Sequence, residues 1–417
     1  MTETVFTYAA PALKYGAGAS AEIGHDLMGY GARRVLLVTD PGIAASGVAQ
    51  RVADHLVERG IEVTTFAGVH VEPTDASFAE AADFARSEGP FDAVVAVGGG
   101  SSIDTAKAAN LMLTNPGELM DYVNAPVGEG RAPVERLLPL VAVPTTTGTG
   151  AESTTVCVLD VLDQHVKTGI SHAALRPTLA VVDPELTLTQ PPMVTASAGM
   201  DILCHALESF TAKPYTAFER KRPEQRVPYC GANPISDMWS RQALSLLSGS
   251  FRRAVTDGSD EDARGQMALA ATMAGLGFGN AGVHIPHANA YPIAGRVRSY
   301  SPPDYPDDHA MVPHGMSVAL TAPAAFRFTY DADPARHLEA ARLLDPSATG
   351  EGPDMLPTVL RALMDDIGIP SGLAELGYGD ADVDDLVEGA LKQERLLSIA
   401  PTRPSPEDLA AIFRASL

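Results

Sequence analysis

The chain has 417 residues, more than one hydrophobic core usually spans, so two domains are expected. Apolar residues at 45% exclude intrinsic disorder, and a net charge of −22 excludes a nucleic-acid surface and disfavours an anionic membrane. Cys157, Cys204 and Cys230 form no CxxC pair, the opening residues lack the basic and apolar regions of a signal peptide, and no long apolar run occurs, so a cytoplasmic protein without disulfides or membrane spans is expected.

Apolar, β-rich runs occupy 34–39, 62–67, 92–97, 138–144, 154–160, 166–170 and 179–183. Helical patterns at 47–58, 77–87 and 102–113 separate the early ones. Strand–helix–strand alternation reads as an open, mostly parallel α/β sheet. After Pro191 and Pro192 strand runs vanish, and helical segments follow at 195–210, 234–255, 262–276, 317–328 and 334–344. The expected architecture is an α/β dinucleotide-binding domain over 1–190 and an all-α metal- and substrate-binding domain over 191–417.

Gly98, Gly99, Gly100 and Ser101 follow the strand 92–97 and open a helix carrying Asp104 and Lys107. Glycines let a backbone approach a bulky ligand, and the free N–H groups of a first helical turn favour a pyrophosphate. The spacing is not GxGxxG. The plainer reading is a tight turn with Ser101 as N-cap and Asp104 completing a capping box. Asp40 ends the strand 34–39, where a carboxylate can accept ribose hydroxyls and repel a 2′-phosphate, favouring NAD over NADP; its alternative role is a turn cap. Thr145, Thr146, Thr147 and Thr149 surround Gly148 at the end of another strand, which suits phosphate or ribose oxygens as well as a polar turn. Ligands of such sheets bind beyond the carboxyl ends of the strands, so two such loops reinforce each other.

In the second half, Asp201 and His205 stand four apart in a helix whose neighbours are nearly all apolar. The spacing places both on one face, and burial of such a pair requires a reason. His284, His287 and His314 follow in small, apolar surroundings. One carboxylate with three imidazoles suits Fe²⁺ or Zn²⁺ with a position left for a substrate, although spacing alone does not choose between His284 and His287.

Together these motifs resemble the iron-containing, group III, alcohol dehydrogenase family, whose architecture is shared with dehydroquinate synthase. The resemblance runs along essentially the whole chain: Gly98 to Ser101 with Asp104 and Lys107, Pro144 to Thr149, Gly199 to Glu208, His287 with Ala288, and Pro313-His314-Gly315. It implies a nucleotide-binding α/β domain, a helical metal domain and a cleft between them. It further implies metal ligation by Asp201, His205, His287 and His314, and NAD(H) contacts from Asp40, Gly99, Gly100, Ser101, Asp104, Thr145, Thr146, Thr149, Lys167 and the segment from Leu179 to Asp183. Residues 231–239, 275–284, 290–295, 308–315 and 393–395 are most similar to the hydroxyacid–oxoacid transhydrogenase branch, in which a held NAD shuttles hydride from a hydroxy acid such as 4-hydroxybutyrate to an oxo acid such as 2-oxoglutarate.

Two departures stand out. Ala288, Asn289 and Ala290 follow His287 in place of a small-Met-Ser run, and Tyr291 stands where many members carry a further histidine. Candidates for proton relay are His284, Tyr291 and His309, although the plainer reading of His284 and His309 is a satisfied structural histidine. A substrate carboxylate needs a cation, for which Arg296 or Arg298 is expected ahead of Arg222 and Arg226. The small-molecule partners are then an alcohol or hydroxy acid and an aldehyde or oxo acid, and the family suggests a homodimer through an edge of the sheet. The rivals are a plain NAD(H)-dependent alcohol dehydrogenase or aldehyde reductase, a dehydroquinate-synthase-type lyase, and a nucleotide-binding protein without catalysis.

Overall fold

The computed structural model describes residues 2–164, 166–305 and 310–417. The chain divides into two compact units, one of Ala9–Thr187 and one of Met1–Tyr8 with Leu188–Leu417. The opening residues, read from sequence with the α/β domain, thus cluster with the helices.

The first unit is built on a parallel sheet of β1 (Ala12–Tyr15), β2 (Arg34–Val38), β3 (Glu62–Phe66), β4 (Ala93–Gly98), β5 (Leu140–Pro144) and β8 (Leu179–Val182), in the order β1-β8-β5-β4-β2-β3. β6 (Val156–Val161) and β7 (Val166–Ser171) form a separate antiparallel pair. The unit's helices are α1 (Ile23–Gly29), α2 (Pro41–Ala45), α3 (Val48–Val57), α4 (Asp75–Glu88), α5 (Gly100–Thr114) and α6 (Leu119–Tyr122).

Strands buried on both faces need apolar residues at every position, and β4 and β5 supply them with Ala93–Gly98 and Leu140–Pro144. Val35, Leu37, Val95 and Val97 pack with Val48, Val52 and Leu56 of α3. Leu36, Val38, Val94 and Ala96 pack with Ala81 and Ala85 of α4 and with Ile103, Ala106 and Ala109 of α5. The helices following β2 and β4 therefore lie on opposite faces. β2 and β4 run parallel, and the order of strand addition reverses here, β3 lying on one side of β2 and β4 on the other; such a switch point is where open α/β sheets bind ligands.

The second unit contains α7 (Pro192–Thr211), α8 (Pro234–Thr256), α9 (Glu261–Ala281), α10 (Ile285–Gly295), α11 (His314–Thr329), α12 (Pro334–Leu344), α13 (Met355–Asp366), α14 (Val383–Leu391), α15 (Glu394–Leu397) and α16 (Pro406–Arg414). α7 is buried almost all round and packs against α8, α9 and α11. Small residues permit the close approach. A Cβ at Gly199 would meet Phe251 at 2.2 Å, and one at Gly315 would meet the Ser197 carbonyl oxygen at 1.9 Å. None of the described helices is long and apolar enough to cross a membrane.

Candidate metal centre and nucleotide loops

Asp201 projects from the middle of α7, is buried, and gathers three imidazoles around Oδ1. His287 Nε2 stands 3.4 Å away, His205 Nε2 3.6 Å and His314 Nε2 3.8 Å. Ligand atoms of Asp201, His287 and His314 all lie within 4.8 Å of one another. His205 shares Asp201 but falls outside that mutual group. Its ring stacks on Phe278 of α9 and on His287, with centroids 3.8 and 4.5 Å apart. His314 is placed by the start of α11, where Gly315 touches α7 and Ser197 Oγ accepts the Met316 N–H at 3.1 Å.

Asp201 Oδ1, His205 Nδ1 and His287 Nε2 are enclosed and make no hydrogen bond. Orphaned buried polar atoms are costly, and Asp201 Oδ1 and His287 Nε2, facing each other at 3.4 Å beside the Nε2 atoms of His205 and His314, mark a place prepared for a cation. Burial opposes ionisation of Asp201, yet the imidazoles of His205, His314 and His287 hold its carboxyl below the ordinary range. Burial pushes His205 down to about 3, so it stays neutral with a lone pair to offer. Burial also opposes a charge on His287, but Glu208 and Asp201 outweigh it and push the ring up to about 10. The donor set of one carboxylate oxygen and three imidazoles, with His287 giving up its extra proton on binding, fits a divalent metal of the iron or zinc kind.

The proton-relay candidates separate. His284 is fully buried, and its Nε2 is bonded to Thr211 Oγ1 at 3.1 Å, so its ring is engaged in the interior. Tyr291, one turn after His287, is half-buried with its ring centroid 6.3 Å from that of His314. His309 lies outside the described residues. Arg296 is paired with Asp385 at 3.2 Å and Arg298 with Asp382, while Arg226 holds Glu3. None of these three guanidinium groups stands free for a substrate as placed.

In the α/β unit the nucleotide residues assemble around the switch point. Asp40 follows β2, Gly98 ends β4, and the Thr145–Thr149 loop follows β5. Gly98 has φ +155°, and a Cβ there would strike Ser102 Oγ at 2.2 Å, so only glycine fits. Ser102 Oγ in turn donates to Asp40 Oδ2 at 3.2 Å. A Cβ at Gly99 would meet Thr146 Oγ1 at 3.0 Å, and one at Gly100 would meet Thr149 Cγ2 at 2.7 Å, so the two loops lie against each other. The N-cap of α5 is Gly99 without a side-chain bond; Ser101 is not the cap. The buried hydroxyls of Thr39 and Thr145 also lack partners. Free N–H groups, a glycine cradle and orphaned hydroxyls at the carboxyl ends of β2, β4 and β5 fit a dinucleotide.

Other expected contacts are already engaged. Asp104 Oδ2 accepts the Val158 N–H at 2.9 Å, and its Oδ1 lies 3.3 Å from the buried Lys107 Nζ, tying α5 to β6. Lys107 also donates to Thr154 and Val156. Lys167 is paired with Glu72 and Asp160. Asp183 accepts from Ser20 Oγ at 2.6 Å and from the Gly18 and Ser20 N–H groups, and Leu179 is buried in β8. Asp104, Lys167, Leu179 and Asp183 are expected from the family resemblance, and local hydrogen bonds, ion pairs and packing compete with a ligand for each of them.

Residues 10–184 match the model of the iron-containing alcohol dehydrogenases, and residues 224–417 match that of the Fe-containing alcohol dehydrogenase family, C-terminal. The chain is 47% identical to the mitochondrial hydroxyacid-oxoacid transhydrogenase of Bos taurus, covering 100% of this chain and 91% of that protein. Identity to the Homo sapiens protein of the same name is 46%, over 100% and 90%. Among solved structures, a 1,3-propanediol oxidoreductase superposes with a TM-score of 0.87 at 31% identity, covering 99% of this chain and all of that one. The sulfoacetaldehyde reductase of Bifidobacterium kashiwanohense, solved with NAD+, gives a TM-score of 0.83 at 29% identity, over 99% and 98%. These relatives overturn the expectation of a cytoplasmic protein, since both transhydrogenases are mitochondrial by name. That expectation rested on cysteine usage and the character of the first residues, neither of which distinguishes reducing compartments.

Proposed function

Because the chain belongs to the iron-containing alcohol dehydrogenase family and is a metal-dependent oxidoreductase, we propose that it acts as a hydroxyacid–oxoacid transhydrogenase. A hydroxy acid such as 4-hydroxybutyrate gives hydride to NAD, and the NADH formed reduces an oxo acid such as 2-oxoglutarate. The full-length likeness to the bovine and human enzymes carries this reading. The donor set around Asp201 supports it.

Asp201, His205, His287 and His314 would hold the metal, Fe²⁺ in the first place and Zn²⁺ as the alternative. When bound, it supplies Lewis acidity toward an alcohol or carbonyl oxygen. Asp201 contributes the negative charge, and His205, kept neutral by burial, contributes a lone pair. Gly99, Gly100, Ser101, Thr145, Thr146 and Thr149 would receive the NAD phosphates and ribose, with Asp40 excluding a 2′-phosphate. Tyr291 is the side chain best placed to pass a proton near His314. Arg296 or Arg298 would meet a substrate carboxylate by leaving its ion pair. Exposed pairs of this kind are worth only about 0–1 kcal/mol, so the exchange costs little.

The lyase alternative is set aside by the family. The plain dehydrogenase is separated by one experiment: purified protein is given 4-hydroxybutyrate deuterated at the carbinol carbon together with 2-oxoglutarate, without added NAD. Deuterium at C2 of the product hydroxy acid is the expected result. Turnover only on addition of free NAD(H) would replace the proposal with an ordinary dehydrogenase.

A homodimer is also proposed, through the edge strand β1, which exposes Leu13 and Tyr15. Light scattering reads it directly; a monomer at micromolar concentration would exclude it.

A further inference from the structure

Glu208 is fully buried in α7 and is not among the ligands that the metal reading assigns. It stands one turn beyond His205 and two beyond Asp201, on the same face of the helix. Its carboxylate reaches α10. Oε1 accepts the backbone N–H of His284 at 2.8 Å and of His287 at 3.2 Å, while Oε2 is bonded to His287 Nδ1.

Two requirements meet here. The first N–H groups of a helix need acceptors, and usually a Ser, Thr, Asp or Asn at the N-cap supplies one. The N-cap of α10 is His284, whose side chain makes no capping bond. Glu208 takes that role from another helix, and its charge also suits the positive end of α10. The second requirement concerns His287. A carboxylate accepts and cannot donate, so the proton of a neutral His287 ring is drawn to Nδ1. The lone pair is then left on Nε2, the atom 3.4 Å from Asp201 Oδ1. The backbone bonds to His284 and His287 fix the carboxylate, so ring orientation and tautomer are set together.

We propose that Glu208 is the positioning residue of the metal centre, capping α10 and presenting His287 Nε2 as a ligand. This rests on the reading of Asp201, His287 and His314 as metal ligands. It assigns to one side chain both the placement of the third ligand's helix and the choice of its coordinating nitrogen.

Glu208→Gln separates the two tasks. The amide oxygen retains the bonds to the two backbone N–H groups. The amide N–H₂ then faces Nδ1, which must accept, and the proton moves to Nε2. Partners that orient a ligating histidine are worth about 10–100-fold in metal affinity. Co²⁺ affinity, measured by chelator competition, is expected to fall by about that factor, with a changed Co²⁺ visible spectrum at saturation. The melting temperature of the metal-free protein should stay near that of the parent. Glu208→Asp, acceptor-only but shorter, should lie closer to the parent in spectrum than Gln does, and it serves as the second variant if Gln proves unstable. Asp201→Asn is measured alongside. Parental affinity and spectrum in Glu208→Gln, with Co²⁺ lost in Asp201→Asn, would overturn the positioning role and leave the metal site standing. An Asp variant no better than Gln would overturn the tautomer argument. Parental Co²⁺ binding in Asp201→Asn would remove the metal reading itself.

Discussion

Phe278 lies flat against His205, with ring centroids 3.8 Å apart and planes inclined by 7°. His205 is the one expected ligand outside the mutual group of Asp201, His287 and His314, so this stack is what holds its ring in range of Asp201. Aromatic stacking of this kind contributes about 1 kcal/mol beyond area burial. Phe278→Leu keeps the apolar volume but removes the flat face. Metal affinity is expected to weaken roughly fivefold, the equivalent of that energy. Chelator competition checks it, and an unchanged affinity would show that His205 needs no support from α9.

Gly315 makes a sharper demand. Its missing Cβ would stand 1.9 Å from the Ser197 carbonyl oxygen and 2.9 Å from Asp201 Cβ, both atoms of α7. Neither neighbour is a flexible chain end, so α11 must move. Gly315→Ala is expected to cost about 1–3 kcal/mol, the usual price of overpacking. It should also lower bound metal, because His314 moves with the helix start. Thermal melting and metal analysis on one preparation check both effects; a parental melting temperature with full metal content would contradict the packing argument.

What the sequence made legible follows from these contacts. β2, β4, β5 and β8 are almost wholly buried, and their pattern is readable because burial on both faces leaves no room for polar side chains. β1 was missed: four residues at a sheet edge, mostly exposed, show no alternation. α10 was missed for the opposite reason. It is buried nearly all round, so it carries no period, and Pro286 and Pro292 argue locally against a helix. The Asp201–His205 spacing was readable as one helix face, whereas the choice of His287 over His284 came only with the family resemblance. Glu208 was overlooked although it continues the face of Asp201 and His205. A cap supplied by a different helix leaves no signature near the helix it caps.

The start of the chain gives a pH-dependent prediction. Glu3 accepts from Arg226 Nη1 at 2.9 Å and Nη2 at 3.1 Å, and from the Thr4, Val5 and Lys221 N–H groups. The bond from Arg226 and then those from the backbone hold its carboxyl down at about 2, against an ordinary value of 4.5. A carboxyl depressed on folding contributes stability that is present above the unfolded value and lost as pH falls through the folded one. The segment's attachment should therefore be intact near neutrality and weaken progressively from about 4.5 down to about 2. Glu3→Gln should melt below the parent near neutral pH, with the gap closing across that window. A gap that persists at the acid end would mean that the charge is not what holds the segment.

Asp40 has two uses that one substitution can separate. Its Oδ1 caps α2 by accepting the Ile43 N–H at 2.9 Å, while Oδ2 accepts from Ser102 beside the glycine loop. Both readings drawn from the sequence, turn cap and ribose partner, are thus compatible with one carboxylate. Asp40→Asn retains an oxygen for the cap and removes the charge, so the melting temperature should hold. If the charge repels a 2′-phosphate, the preference for NAD over NADP should narrow by about tenfold or more, since about 1.4 kcal/mol of lost repulsion already gives that factor. Calorimetric titration of cofactor-free protein with each nucleotide measures the ratio. A ratio unchanged in the variant would leave Asp40 with the cap alone and move cofactor choice to another residue of the loops.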